Sequence, residues 1–408
     1  MLRPHLGTVL LWAAWGAGFT ATIPAATPLP SSVPQHHTEA LGDRSSILTD
    51  ALCAGGITDS AQQAGYQTTF VRVCEAEAPA IRLLTDDMQR ITALLDCLHR
   101  QFLTGEYRAE YSELHRTLDD GHYNCVSSTI LFRALCEYFD VEALPVLAGR
   151  HLLCQLPGTP PLPIETTCRA WPLGEHSREL GNVSESRVLT DAELIAKVSY
   201  NQGVAHLSAG RYPPAIAALR RAWAADPQDQ AALDNLLAAH NNWALTTSDD
   251  GRFEDAVALI VAGLSLAPDY PPLRANDLHV HQKWVQQLCA QRRYAEALSV
   301  LERAYRRRPD AALFERGRSA ILARWAGHLF QTGEFDPGWR KLKEAALRGT
   351  SAADTTRHEA RMAASIYREL VRSGQAASAN RFLAEAVRRY PHADVLRQCG
   401  LDLPQSGT

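Results

Sequence analysis

Three side chains in one stretch have the types and order that thiol chemistry requires. Cys125 follows Asn124, a good helix N-cap, and Val126, Ile130, Phe132, Leu135 and Phe139 then recur at roughly helical spacing, which predicts Cys125 in the first turn of a helix. A thiolate is the nucleophilic form of cysteine, and a helix N-terminus together with a nearby imidazolium stabilises it. His151, 26 residues on, supplies an imidazole that can take up and return the proton. Glu165, 14 residues further, supplies a carboxylate that can hold that ring in the needed tautomer. His122, three residues before the cysteine, is a rival base on a loop. The competing reading of Cys125 by itself is a small buried hydrophobe.

The elements that must position these groups are legible in outline. Residues 143–156 and 162–171 read as two short strands joined by the loop at 157–161, with His151 on the first and Glu165 on the second. The stretch from Ala78 to Phe102 reads as one helix burying Ile81, Leu84, Met88, Ile91, Leu94, Leu95 and Leu98, and Asp119-Asp120-Gly121 reads as a turn. Cys154 and Cys168 fall on the same two strands, where a cross-strand disulfide is one option in an oxidising compartment. They are not a zinc pair, because no C-x-x-C completes a site.

Tyr123-Asn124-Cys125-Val126-Ser127-Ser128 resembles the nucleophile motif of the transglutaminase-like superfamily, the papain-related thiol enzymes. Arg150-His151 is similar to its histidine strand, and Ile164-Glu165-Thr166-Thr167 to its acid motif, with Glu165 where Asp is usual. The resemblance covers about Leu114 to Trp171 and implies an α+β, cysteine-proteinase-like domain with Cys125, His151 and Glu165 as catalytic residues. Members of the family include peptidases, amidases, protein crosslinkers and deglycosylating enzymes. The implied chemistry is attack of the thiolate on an amide carbonyl of a peptide or protein, with water or an amine resolving the thioester. No metal or organic cofactor is implied. The Cys125 backbone N–H offers one oxyanion donor; the sequence identifies no second.

The second half carries a 41-residue period. Tyr212, Phe253, Tyr294 and Phe335 share one column, which continues at Ala376. Small, large and small residues follow at offsets of three, seven and ten: Ala215, Leu219 and Ala222 in the first unit, Ala256, Ile260 and Gly263 in the second. Pro227, Pro268, Pro309 and Pro391 stand fifteen after the aromatic, with Thr350 breaking the series. Trp243, Trp284 and Trp325 form an upstream column continued by Ile366. A small–large–small stripe is one face of a helix, and the proline ends it, so each unit is a helical hairpin that must stack on its neighbours. The columns resemble the tetratricopeptide repeat, whose period is about 34; the seven extra residues are about two helical turns and predict a longer first helix. The resemblance implies a right-handed all-α solenoid of about five units that presents a surface to a peptide or protein. Core packing is the reading of the tryptophan column, against a sugar-stacking platform. Arg306-Arg307-Arg308 reads as a solvated run complementing a helix dipole, and His279-x-His281 has no metal spacing for a helix.

Composition bounds the rest. The chain has 408 residues, 46% hydrophobic and 21% charged, enough for a sizeable core and two to three domains. Net charge is −4, with basic residues spread along the chain, which argues against a nucleic-acid binder. Residues 6–26 carry no charge after Arg3 and read as a signal peptide or a membrane anchor, with a misassigned start as a third reading; the first two predict an exported protein that touches a membrane only if the segment is an anchor. The expected division is 1–26 leader, 27–45 linker, 46–190 transglutaminase-like domain, 191–400 repeats and 401–408 tail. His36-His37 in the linker reads as an exposed polar pair, and Asn182-Val183-Ser184 matches a glycosylation sequon. Nine cysteines are too few for a disulfide scaffold, and their odd number leaves at least one thiol free or paired between molecules. The alternative function is a non-catalytic helical-repeat scaffold whose enzyme-like domain is structural.

Overall fold

A computed structural model describes residues 46–169, 186–307, 311–347 and 352–401. The leader and linker expected at 1–45, the His36-His37 pair, Trp171, the sequon at Asn182, Arg308, Pro309, Thr350 and the tail from residue 402 lie outside the described residues.

The chain opens with helices α1 (Ile47–Ala54), α2 (Ser60–Ile81) and α3 (Asp87–Cys97). The single helix expected from Ala78 to Phe102 is therefore two helices and a wider final turn. α2 stops at Ile81, and Asp86 caps α3 by accepting from the Gln89 N–H at 2.9 Å. Leu98–Phe102 then forms a π turn. Periodicity persists across the break because Ile81, Ile91, Leu94, Leu95 and Leu98 all reach one core, while Leu84 and Met88 are only half-buried.

α4 (Leu114–Asp120) ends at Gly121, whose left-handed backbone (φ 80°) makes the expected turn. α5 (Cys125–Tyr138) is apolar on nearly every side and runs through the interior, as such a helix must. Asn124 Oδ1 accepts from the Val126 and Ser127 N–H groups, and Asn124 Nδ2 donates to Ala109 O and Ser112 Oγ. The cap thus tightens the helix start and ties it to the preceding loop.

Four short strands complete an antiparallel sheet: β1 (Leu144–Ala148), β2 (His151–Leu156), β3 (Leu162–Ile164) and β4 (Ser186–Val188), in the order β3-β2-β1-β4. The strand expected over 143–156 is a hairpin. Gly149, left-handed at φ 61°, and Arg150 form a two-residue turn, with Ala148 and His151 paired across it. Glu165 lies one residue beyond β3 rather than on it. Leu152, Cys154 and Ile164 on the sheet join α5 in the core.

The remaining helices are α6 (Asp191–Ser208), α7 (Tyr212–Ala225), α8 (Gln230–Asp249), α9 (Phe253–Leu266), α10 (Pro271–Ala290), α11 (Tyr294–Arg307), α12 (Ala311–Gln331), α13 (Phe335–Ala346), α14 (Ala352–Arg372), α15 (Ala376–Arg389) and α16 (Asp394–Leu401). Every second helix begins on the aromatic column or its Ala376 continuation. The first helices run 18 to 21 residues against 12 to 14 for the second, so the extra length sits where the period required it. Ala215, Ala256, Ala297 and Ala379 are fully buried. A Cβ at Gly338 would meet the Phe330 ring at 2.8 Å, and one at Gly263 would meet Leu273 at 2.6 Å, so these columns are small because a neighbouring helix lies against them. Of the tryptophan column, Trp284 is buried and stacks on Phe253 (6.0 Å), whereas Trp243 and Trp325 are half-buried against the core, Trp325 stacking on Tyr294 (5.9 Å).

The α+β part and the repeats share one core at their junction. Leu194 and Val198 of α6 belong to the cluster built on α5. Arg133 of α5 forms a paired bridge to Asp191, and Asn201 Nδ2 donates to Ser112 Oγ at 2.7 Å. Lys197 of α6, with little exposure, bridges Asp226 and Asp229, and Arg187 of β4 also meets Asp226.

Candidate functional site

Cys125 is the first residue of α5, as its sequence setting predicts. The His151 ring, the Leu152 backbone N–H and the Tyr107 hydroxyl each favour its thiolate. Burial alone pushes this thiol up; the His151 ring and the two other donors outweigh it, and Cys125 ionises below the usual thiol range. Elsewhere burial meets no such opposition: Cys74, Cys97 and Cys136 are each pushed up to about 12.

His151 opens β2, and its Nε2 lies 2.7 Å from Glu165 Oε2. Cys125 and then Glu165 hold the ring's proton, raising His151 to about 10 against the cost of burial. Glu165 is itself fixed: its Oε1 accepts from Thr167 N at 2.9 Å and from Thr167 Oγ1 at 2.6 Å. Burial raises this carboxyl, but His151 and Thr167 bring it below its ordinary range. Of the three residues singled out in the sequence, His151 and Glu165 are joined by a hydrogen bond, and the same ring lowers the Cys125 thiol.

Thr166 and Thr167 stand in the acid motif singled out in the sequence, and the structure shows what each does. Thr166 is fully buried and its Oγ1 shares hydrogen bonds with Ser128 Oγ (2.9 Å) and Thr129 Oγ1 (3.0 Å) on α5. Its carbonyl also meets His99 Nε2 at 3.1 Å. The turn after β3 is thereby docked on the helix that carries Cys125. Tyr107 is a further residue missed from sequence. It lies 18 positions before Cys125, and nothing in its surroundings marks it out from Tyr111 or Tyr123.

Other candidates are engaged elsewhere. His122 Nδ1 accepts from the Glu106 N–H at 2.8 Å, and its ring meets Tyr111. His281 is buried on α10, where its Nδ1 meets Asp277 O at 2.7 Å and its Nε2 accepts from Arg307. Arg307 is thus not merely a solvated charge. Cys154 and Cys168 are free thiols, with Cys154 opposite Ile164 in the sheet. Among the described residues no cluster of His, Cys, Asp and Glu could hold a metal ion, and no helix is long and apolar enough to cross a membrane.

No family model matches the chain, and no curated protein matches it. Nineteen chains among solved structures do. A crystallised tetratricopeptide-repeat domain is similar at 14% identity over 51% of this chain, with a TM-score of 0.18; the match spans 57% of that chain. PilW, a type IV pilus biogenesis factor, is similar at 15% identity over 50% of this chain and 97% of its own, with a TM-score of 0.19. MamA is similar at 19% identity over 50% of this chain and 98% of its own, with a TM-score of 0.17. The likeness is to helical-repeat folds at the level of coarse architecture and extends to half of this chain.

Proposed function

We propose that this protein is a thiol acyl-transfer enzyme of transglutaminase-like type, acting outside the cytoplasm on amide bonds of peptides or proteins. The observation that carries the reading is the 2.7 Å hydrogen bond between His151 Nε2 and Glu165 Oε2, with the same His151 ring bringing the Cys125 thiol below its ordinary range. A thiolate paired with an imidazolium is a competent nucleophile near neutral pH. Cys125 Sγ attacks the amide carbonyl, His151 gives its proton to the departing amine, and a thioester remains. Water then releases an acid, or a second amine forms a new amide; His151 removes the incoming proton in either case. Glu165 keeps the ring oriented throughout. The repeats hold the peptide or protein. A groove of about 680 Å³ between the repeats, lined by Arg324, His328, Gln331 and Glu369, has the mixed polar lining that peptide backbone and side chains need.

The test is alkylation of the native chain with iodoacetamide at pH 6, with the modified residue identified by mass spectrometry. Cys125 reacts first. The His151→Ala chain loses at least about tenfold in rate, the loss expected when the thiol rises by one or more pK units. Slow labelling of Cys125, unchanged by His151→Ala, sinks the reading.

A second reading is a helical-repeat scaffold in which the α+β part is structural. What favours it is the extent of the repeats, which run from α6 to α16, and the fact that the similar solved structures are helical-repeat proteins. The same alkylation separates the two, since a purely structural cysteine gains nothing from His151.

A further inference from the structure

A carboxylate can orient an imidazole only if the backbone that carries it stays still. Glu165 lies just past the end of the β2–β3 ladder, whose last pair is Cys154 with Ile164, so the sheet does not fix the peptide groups that follow it. Two rings from distant segments hold those groups instead. His99 Nε2 meets the Thr166 carbonyl at 3.1 Å, and the Tyr123 hydroxyl donates to the Thr167 carbonyl at 3.3 Å. The rings meet each other edge to face at 6.0 Å. His99 stands in the π turn that ends the α3 helix, closed by the Leu103 N–H donating to Leu98 O at 2.9 Å. Such turns are rare and recur at functional sites.

The Thr166 carbonyl and the Thr167 N–H are two ends of one planar peptide group. One end accepts from His99, and the other donates to Glu165 Oε1 at 2.9 Å. Turning that peptide would withdraw the N–H from the carboxylate. A carbonyl only accepts, so the ring proton of His99 sits on Nε2. Burial holds His99 below the usual imidazole range, yet Nε2 keeps a proton whether the ring is neutral or charged, so the contact persists as the thiol titrates. We propose that His99, with Tyr123 beside it, is a positioning residue of this site, gripping the peptide that aims Glu165 at His151. The proposal rests on the acyl-transfer reading given above, in which His151 must keep one orientation while it gives and then takes a proton. His99 and Tyr123 transfer no proton themselves. They act through Glu165.

The test follows the His151 ring titration by NMR in the full chain, its signal assigned by loss in His151→Ala. His99→Leu removes the donor. His99→Gln replaces it with an amide N–H at similar reach. Freed of its grip, the carboxylate turns from the ring, so the proton affinity of His151 is expected to fall at least about threefold in His99→Leu and to stay within about 1.5-fold in His99→Gln. An affinity unmoved or raised in His99→Leu, or an equal fall in both variants, overturns the positioning role. Should His99→Leu fail to fold, Tyr123→Phe, which loses only a hydroxyl, must lower the same affinity; an unmoved value overturns the proposal. Iodoacetamide labelling of the unmutated chain keeps the two readings apart. A reactive Cys125 beside an unmoved His151 overturns the role of His99 alone, whereas slow labelling that ignores His151→Ala overturns the parent reading and this one with it.

Discussion

At the scale of single residues, the site is a contest between burial and partners. Burial is the largest influence on the Cys125 thiol and opposes its ionisation, yet the His151 ring, the Leu152 N–H and Tyr107 together prevail. The same burial without those partners leaves Cys136 and Cys154 pushed far up. His151 holds its proton more tightly in the fold than in the open chain, up to about 10 from 6.5. Its contribution to stability is therefore complete below about pH 6.5 and is lost as pH rises through about 10. Glu165→Gln removes the charge at 2.7 Å that shares in this shift. The His151 ring proton, followed by NMR, is expected to titrate at least about one unit lower in that chain; an unmoved midpoint would mean that Glu165 does not tune the ring. The three principal residues were readable from type and order. Thr166 and Thr167 stood in the same motif, but their partners were not readable, because Ser and Thr serve in many buried contacts and only a folded neighbour shows which one.

At the scale of elements, local chemistry decides where the chain turns. Four of the five hairpin turns in the repeats place a left-handed glycine two residues before the second helix: Gly210, Gly251, Gly333 and Gly374, with φ between 68° and 84°. The third has Arg292 there at φ 62°. A side chain with a Cβ is strained in that region, by about 1–2 kcal/mol. Arg292→Gly is accordingly expected to stabilise the chain by about 0.5–1 kcal/mol, after the added freedom of the unfolded glycine is subtracted. Urea unfolding measures it, and a destabilised variant would show that Arg292 makes contacts worth more than its strain. The repeat was legible because one geometry recurs and each column averages out its exceptions. The helix expected over 78–102 was not, since Ile81 on one side of the break and Ile91, Leu94, Leu95 and Leu98 on the other reach the same core; Asp86 reveals itself as a cap only when the Gln89 N–H is seen beside it.

At the scale of the molecule, the boundary expected at 190/191 falls between elements that share a core. Leu194 and Val198 are fully buried against the α5 cluster, and the Lys197–Asp226–Asp229 bridges and Arg187 tie β4, α6 and the end of α7 together. A chain ending at residue 190 would expose the surface that α6 covers. It is expected to melt at least about 5 °C below a chain ending at residue 229, since burying two aliphatic side chains is worth about 3 kcal/mol or more. Equal melting temperatures would show that the α+β part is independent of the first repeat. Joining the two parts through a shared helix also gives the groove of the repeats a set relation to the thiol site, which a flexible linker would not.

Periodicity, caps and residue type belong to the chain itself, and from them come the stacked hairpins, Cys125 at a helix tip and the order cysteine, imidazole, carboxylate. They are local properties, set by spacing within a few turns. The approach of Tyr107 to Cys125, the docking of Thr166 on α5, the hairpin at Gly149 and the fusion of α6 to the α+β core depend on segments distant in sequence finding one another. Side-chain packing selects those partners, and packing has no linear signature.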